Sequence, residues 1–163
     1  MAANDNQAFP EVQGKALTGE EFQVPDSLDR AYNLLLLAFL REQQADVDTW
    51  IPRLEEIKKS HPDFTFFEFP VLPKMNAVAR WWIYQGMRSG IRSERARART
   101  VTFHIDKEPL RQRLNIENEE NIHLFLVDRK GTILWRTSGR WSRDKEEGLS
   151  LNLAEPDEAD PEL

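Results

Sequence analysis

The side chains that most often act as nucleophiles or metal ligands are scarce in this sequence. It contains no cysteine, so it cannot form a thiolate, a disulfide or a cysteine-ligated zinc site. His61, His104 and His123 lack the short spacing of a helical metal motif, although the last two lie in predicted strands that could be neighbours. The sequence has neither the Gly-x-Ser-x-Gly motif of serine hydrolases nor a glycine-rich phosphate loop. We therefore expect no metal site and no cofactor.

The segment 80–99 carries a concentration of cations that is unusual for a chain with a formal net charge of −6. Glu94 is its only acidic residue, and its last three arginines alternate, so they would point the same way in an extended segment. The pattern predicts a surface for an acidic protein, an anion or a membrane, whereas the alternative is a solvated edge paired with local carboxylates. The overall negative charge argues against a nucleic-acid partner. The candidate partner-binding residues are Arg80, Trp81, Trp82, Arg88, Arg92, Arg95, Arg97 and Arg99.

Apolar runs and capping residues predict the elements that would position these groups. The run 34–39 is uninterrupted and too short for a helix, which is typical of a strand covered on both faces. Apolar residues spaced by three and four from Val47 to Ile57 predict a helix, and Asp106 is expected to cap a short one. The predicted elements are a hairpin at 17–24, strands at 34–39, 64–69 and 100–104, helices at 46–59, 74–85 and 106–114, a hairpin at 122–127 and 132–137, and a last helix at 142–151.

This order of elements predicts an α/β fold. Early strand–helix–strand units require right-handed crossovers and a parallel centre, and the late hairpin adds antiparallel strands. We expect a central mixed β-sheet flanked by helices on both faces, with Pro70 ending the strand 64–69. One domain, residues 9–151, is expected between a disordered N-terminus, residues 1–8, and an acidic disordered tail, residues 152–163.

Three stretches carry a resemblance to a known superfamily. Residues 9–20 look like a hairpin before a first core strand, 36–52 like an active-site strand, loop and helix, and 125–133 like a final hairpin with an Asp-x-x-Gly turn. In this order they resemble the thioredoxin-like superfamily, in its peroxiredoxin (alkyl hydroperoxide reductase-like) and cytochrome-biogenesis branches. The resemblance implies a thioredoxin-like fold over residues 9–150. It places the two family cysteines at Gln44 and Val47 and the family's cis-proline at Ile122, so it implies an abandoned redox site.

A narrower resemblance covers mainly the C-terminal half. The stretches Trp135–Gly139 and Gly86–Ile91, followed by Asp106–Lys107 and Leu110–Arg111, are similar to the mitochondrial ATP synthase assembly factor family. That resemblance implies a thioredoxin-like protein that escorts a membrane subunit into the enzyme. The first hypothesis is therefore a redox-inactive, chaperone-like module that binds a protein partner, which a membrane-complex subunit or an acidic surface would supply.

Two alternatives remain open at this point. An enzyme without cysteine could use Arg41, Glu42 and Asp46 around Gln44 for acid–base chemistry in the former thiol groove. A structural homodimer could instead form on exposed tryptophans, for which Trp81 and Trp141 are candidates.

The sequence gives little sign of targeting. The start has neither a basic n-region nor an apolar h-region, and the longest apolar run, 34–40, is far below the roughly 20 residues of a membrane span. We expect a cytoplasmic protein, with the organellar origin of a trimmed chain left open.

Overall fold

The protein is seen here in a computed structural model that describes residues 7–73, 78, 81, 83, 85–87 and 93–153. A 3-10 turn, Arg41–Gln43, precedes the first helix. The described residues at 78, 81, 83 and 85–87 are helical, within or next to the second predicted helix, and the remainder of that prediction lies outside the described residues. The elements are β1 (Val12–Ala16), β2 (Glu21–Val24), β3 (Tyr32–Ala38), α1 (Gln44–Ser60), β4 (Phe64–Leu72), α2 (Glu94–Arg99), β5 (Val101–His104), α3 (Lys107–Arg113), β6 (His123–Val127), β7 (Ile133–Ser138) and α4 (Arg143–Leu151).

The strands form one mixed sheet in the order β2-β1-β5-β4-β3-β6-β7. The central strands β3, β4 and β5 are parallel, and the outer strands pair antiparallel with their neighbours. The carboxyl ends of the parallel strands therefore meet at one edge of the sheet, where β6 begins and β7 ends. The prediction of a mixed sheet is confirmed.

Two apolar clusters cover the two faces of the sheet, so the predicted helices on both faces are confirmed. On one face Phe69 and Phe125 pack with Leu110 and Leu114 from α3 and the residue that follows it. On the other face the predicted stripe of α1 is buried, together with Leu149 of α4. The run Leu34–Leu37 supplies both clusters because alternate residues of a strand point to opposite faces.

Two local predictions about strands were wrong. The first hairpin begins at Val12, and Leu17 lies in its turn, where Gly19 adopts a φ of 104° that few other residues tolerate. β4 does not stop before Pro70 but continues to Leu72. Pro70 aligns with Ala38, the last residue paired between β3 and β4, and a missing N–H costs little at the end of a ladder.

The folded region also extends beyond the predicted domain at both ends. Ala8 pairs with Thr132, and the N–H of Ile133 donates to the carbonyl of Gln7 at 2.8 Å, so these two residues extend the edge of the sheet. Leu153 is buried in the core beside α4. The rest of the two predicted disordered ends, 1–6 and 154–163, lies outside the described residues. Within the part of the chain that the structure describes, no helix combines the length and the apolar character needed to cross a membrane.

Candidate functional site

The three positions that the superfamily resemblance assigns to the thiols and the cis-proline carry no nucleophile. Val47 and Ile122 are both core residues, with 2% and 0% of their surface exposed. Gln44 is the first residue of α1, and its exposed amide donates to Asp48 Oδ1 at 3.0 Å and to Glu68 Oε1 at 3.4 Å. Two of the three positions therefore contribute to packing, and the third takes part in a polar surface network.

A neighbouring residue, Gln43, closes the loop between β3 and α1, and sequence reasoning did not single it out. Its side chain is buried, and its Oε1 accepts from the N–H groups of Phe39 at 2.8 Å and Leu40 at 3.2 Å. Its Nε2 donates to the carbonyl of Glu119 at 2.6 Å. An amide can do this because it both donates and accepts. Gln43 thus ties the loop after β3 to the loop before β6, which carries Ile122.

The residues of the enzyme alternative do not share a cleft in the structure. Arg41 and Glu42 are exposed on the 3-10 turn, and Asp46 is half-buried in the first turn of α1. A cleft of about 340 Å³ lies instead beyond the ends of β4 and β5, and it is lined by Pro73, Ile105, Asp106, Lys107, Glu108 and Glu119. This geometry gives the acid–base hypothesis no support around Gln44.

The arginines at 95, 97 and 99 lie on a helix, so they do not point the same way as they would in an extended segment. The Ser93 side chain caps α2 by accepting from the N–H of Ala96 at 3.3 Å, which favours a helix over an extended chain. Arg95 and Arg99 are one turn apart and both contact Glu55 of α1, at 3.7 Å and 2.5 Å. Arg97 lies on a different face, because successive helix residues are about 100° apart.

Arg99 is the centre of a largely buried ionic cluster. Its side chain is 15% exposed, its Nε lies 3.5 Å from Glu68 Oε2, and its guanidinium lies over the Phe66 ring, 4.8 Å from the centroid. Burial raises the pKa of Glu68, and the hydrogen bond from Gln44 and the charge of Arg99 offset this effect only in part. Arg99 therefore anchors α2 to α1 and to the sheet, so its charge is already engaged within the protein.

The exposed apolar residues of the Arg-rich segment lie upstream of α2. Val78, Trp81 and Ile83 are helical, and 67%, 54% and 38% of their surfaces are exposed. Trp50 is fully buried, and Trp141 packs on the α1 side of the core and donates through Nε1 to Glu146 at 2.7 Å. Trp141 is thus not an exposed interface residue. The other predicted partner-binding residues, Arg80, Trp82, Arg88 and Arg92, lie outside the described residues.

The histidines do not converge. His104 lies on β5 and His123 on β6, and β4 and β3 separate these strands, so the prediction that they could be neighbours was wrong. Among the residues that the structure describes, no group of three or more histidines and carboxylates is placed to hold a metal ion. Burial lowers the pKa of His123, and the nearby charge of Arg136 lowers it further.

Solved structures with a similar backbone include thiol–disulfide oxidoreductases and an electron transfer protein. An electron transfer protein from Aquifex aeolicus has a TM-score of 0.62 at 13% identity, covering 90% of this chain and 97% of that chain. The thioredoxin domain of a thiol-disulfide oxidoreductase from Bacteroides vulgatus has a TM-score of 0.58 at 16% identity, covering 92% and 98%. BsSco, of the Sco family of cytochrome c oxidase assembly proteins, has a TM-score of 0.57 at 12% identity, covering 90% and 92%. At these identities the likeness shows the fold, which is thioredoxin-like.

Sequence comparison gives the family. No curated protein matches the chain. The sequence model of one family, described as ATP10 protein, matches residues 2–152, which include all the elements described above. The chain therefore belongs to the ATP10 protein family.

Proposed function

We propose that this protein is a redox-inactive thioredoxin-fold module that binds a protein partner during the assembly of a complex. The closed thiol site carries the proposal: Val47 and Ile122 are packed into the core, and Gln43 ties the two loops that surround them. The chain has no thiol, and the cleft at this edge is not lined by Arg41, Glu42 or Asp46, so we infer a role for the surfaces of the fold. Membership of the ATP10 protein family supports an assembly role, and the family resemblance implies a subunit of a membrane complex as the partner.

The partner surface that we propose is the Trp81 surface, formed by Trp81 and Val78, which lie three positions apart on a helix and so share a face. Ile83, two positions after Trp81, lies on a different face. Exposed apolar side chains that follow one another on a helix are typical of interaction sites, and tryptophan is among the residues that contribute most to binding. Arg80, Arg88 and Arg92 are close in sequence and would favour an acidic rim on the partner. In this proposal Arg99 has a structural role, since it is held by Glu55 and Glu68.

The experiment compares the wild-type protein with Trp81→Ser and with Leu151→Ser as a matched control. Leu151 is 87% exposed on α4, so its substitution removes an exposed apolar side chain elsewhere. Affinity capture with quantitative mass spectrometry identifies a partner, and titration with the purified partner measures its affinity. We expect Trp81→Ser to weaken binding by about 30-fold or more, as for a central interface tryptophan, and Leu151→Ser to leave it unchanged.

Three outcomes would contradict the proposal. Equal partner affinity for both variants would remove the Trp81 surface from the interface. A concentration-dependent mass in sedimentation that Trp81→Ser abolishes would favour the homodimer. Turnover of a substrate that depends on Glu42 or Asp46 would favour the enzyme. The expected cytoplasmic location stays a prediction, which microscopy of the tagged protein tests.

A further inference from the structure

Arg136 sits on an aromatic platform near the end of the outer strand β7. It pairs with Phe125 of β6, and its guanidinium carbon lies 4.6 Å from the centroid of the Phe125 ring. Phe125 is fully buried, and Phe9 packs edge-on against it with ring centroids 5.7 Å apart. The ring therefore has a fixed position, and the cation–π contact holds the guanidinium on one face of the sheet.

The charge of Arg136 lacks a counterion within the described part of the chain. Arg136 is half-buried, and burial lowers the pKa of its guanidinium. No carboxylate of the described residues lies within 4.0 Å of it. By contrast, Arg99 and Arg111, whose side chains are 15% and 19% exposed, each contact two glutamates within that distance. Partial desolvation makes an unpaired charge costly, so the guanidinium of Arg136 would gain from an anionic partner.

Two polar side chains flank Arg136 on the same face. His123 pairs with Ser138, two positions along from the Phe125–Arg136 pair, and residues two apart on a strand point to the same face. The ring of His123 meets Phe39 edge-on, with centroids 6.5 Å apart. Burial and then the charge of Arg136 lower the pKa of His123, so the imidazole is neutral at neutral pH. The group as a whole carries a single positive charge, with an imidazole and a hydroxyl beside it.

We propose that Arg136, His123 and Ser138 form a binding site for one carboxylate of a polypeptide. A planar carboxylate matches the donors on the edge of a guanidinium whose face is stacked on a ring. A single negative charge balances the single charge of the site, whereas a phosphate dianion would leave one charge uncompensated. The site shares no residue with the Trp81 surface, and it lies at the sheet edge where β3 ends and β6 begins, beside the loop that Gln43 closes.

The test uses NMR of the Arg136 Nε–H group and of the His123 ring while short peptides are added to the whole protein. An acetylated Ala-Asp-Ala amide offers only a side-chain carboxylate, and acetylated Ala-Ala-Ala with a free terminus offers only a chain end. The acetylated Ala-Asn-Ala amide is the uncharged control. We expect saturable chemical-shift changes with at least one of the two carboxylate peptides. The peptide that binds more tightly shows whether the carboxylate comes from a side chain or from a chain end. Binding should raise the pKa of His123, because a negative charge then faces it.

Variants separate the site from general attraction to a cationic surface. We expect Arg136→Gln to weaken binding at least about tenfold, as for the loss of a charge-assisted pair. The exposed Arg140, in the next turn of the chain, also has no carboxylate within 4.0 Å among the described residues, so Arg140→Gln is the matched control and should leave binding unchanged. Arg136→Lys keeps the positive charge and should disturb folding less than Arg136→Gln does. It should still bind more weakly than wild type, because lysine lacks the planar pair of donors. The proposal is overturned by shifts that never saturate, by an equal response to the asparagine peptide, by tighter binding of inorganic phosphate, or by unchanged binding in Arg136→Gln.

Discussion

The Arg99→Gln substitution gives the sharpest test of the ionic cluster. It removes two carboxylate contacts, with Glu55 at 2.5 Å and Glu68 at 3.5 Å, and the contact with the Phe66 ring. Breaking a buried ion pair by removing one partner costs about 3–5 kcal/mol. The cluster keeps some solvent, and Glu68 can take up a proton because burial already raises its pKa, so we expect a smaller loss of about 2–3 kcal/mol. For a chain of this size that corresponds to a fall in Tm of about 4–12 °C.

The matched control for this substitution is Arg95→Gln on the same helix. Arg95 contacts the same glutamate, Glu55, but at 3.7 Å and with 72% of its side chain exposed. An exposed pair of this kind contributes about 0–1 kcal/mol, so we expect almost no change in stability. Urea unfolding followed by circular dichroism measures both variants at pH 7. Equal losses for the two variants, or a loss below about 1 kcal/mol for Arg99→Gln, would refute the argument that burial makes Arg99 the anchor of α2.

Three further predictions concern positions whose surroundings the structure defines. Burial raises the pKa of Glu68 in the folded protein, so the folded state binds a proton there more tightly than the unfolded state does. The contribution of Glu68 to stability therefore falls as the pH rises from its unfolded pKa of about 4.3 through the raised pKa. Glu68→Gln should flatten this part of the stability profile, which urea titrations at several pH values measure. Gln43→Ala leaves buried backbone groups without partners and should cost about 2–4 kcal/mol in the same assay, whereas Gln44→Ala, at an exposed position, should change stability by less than about 0.5 kcal/mol. A Cβ at Gly14 would lie 2.6 Å from a backbone oxygen of β5, so Gly14→Ala should lower Tm clearly, while Gly86→Ala, with nothing within 4 Å, should not. Equal stabilities of Gln43→Ala and Gln44→Ala, or of Gly14→Ala and Gly86→Ala, would contradict the packing described here.

Much of the fold was predictable because its signals are local. The apolar run in β3 and the stripe on α1 report burial directly, since a strand covered on both faces and an amphipathic helix have different periods. Asp106 was expected to cap α3, and its side chain does accept from the N–H of Glu108. The final hairpin follows from its Asp-x-x-Gly turn, where Gly131 has a φ of 88°. Each of these predictions depends on residues within a few positions of one another.

The parts that failed depend on contacts distant in sequence. Alternating arginines would share a face in an extended segment, but Ser93 caps a helix there, and two of the arginines contact Glu55, some forty positions earlier. The sequence shows two adjacent glutamines and does not reveal which is buried, because that depends on the loop that carries Glu119. The stacking of Arg136 on Phe125 likewise follows from the register of β6 with β7, which no local pattern specifies.

The loss of the redox site and the preservation of the fold are consistent with one another. In a redox-active relative, the loop before the first helix must leave two sulfurs accessible, whereas here Val47 and Ile122 fill the space and Gln43 satisfies backbone groups on both loops. An exposed tryptophan beside a cationic segment is better explained by a partner than by packing. The absence of a thiol and the exposed Trp81 surface therefore support the same proposal, that this thioredoxin-like fold binds a protein partner.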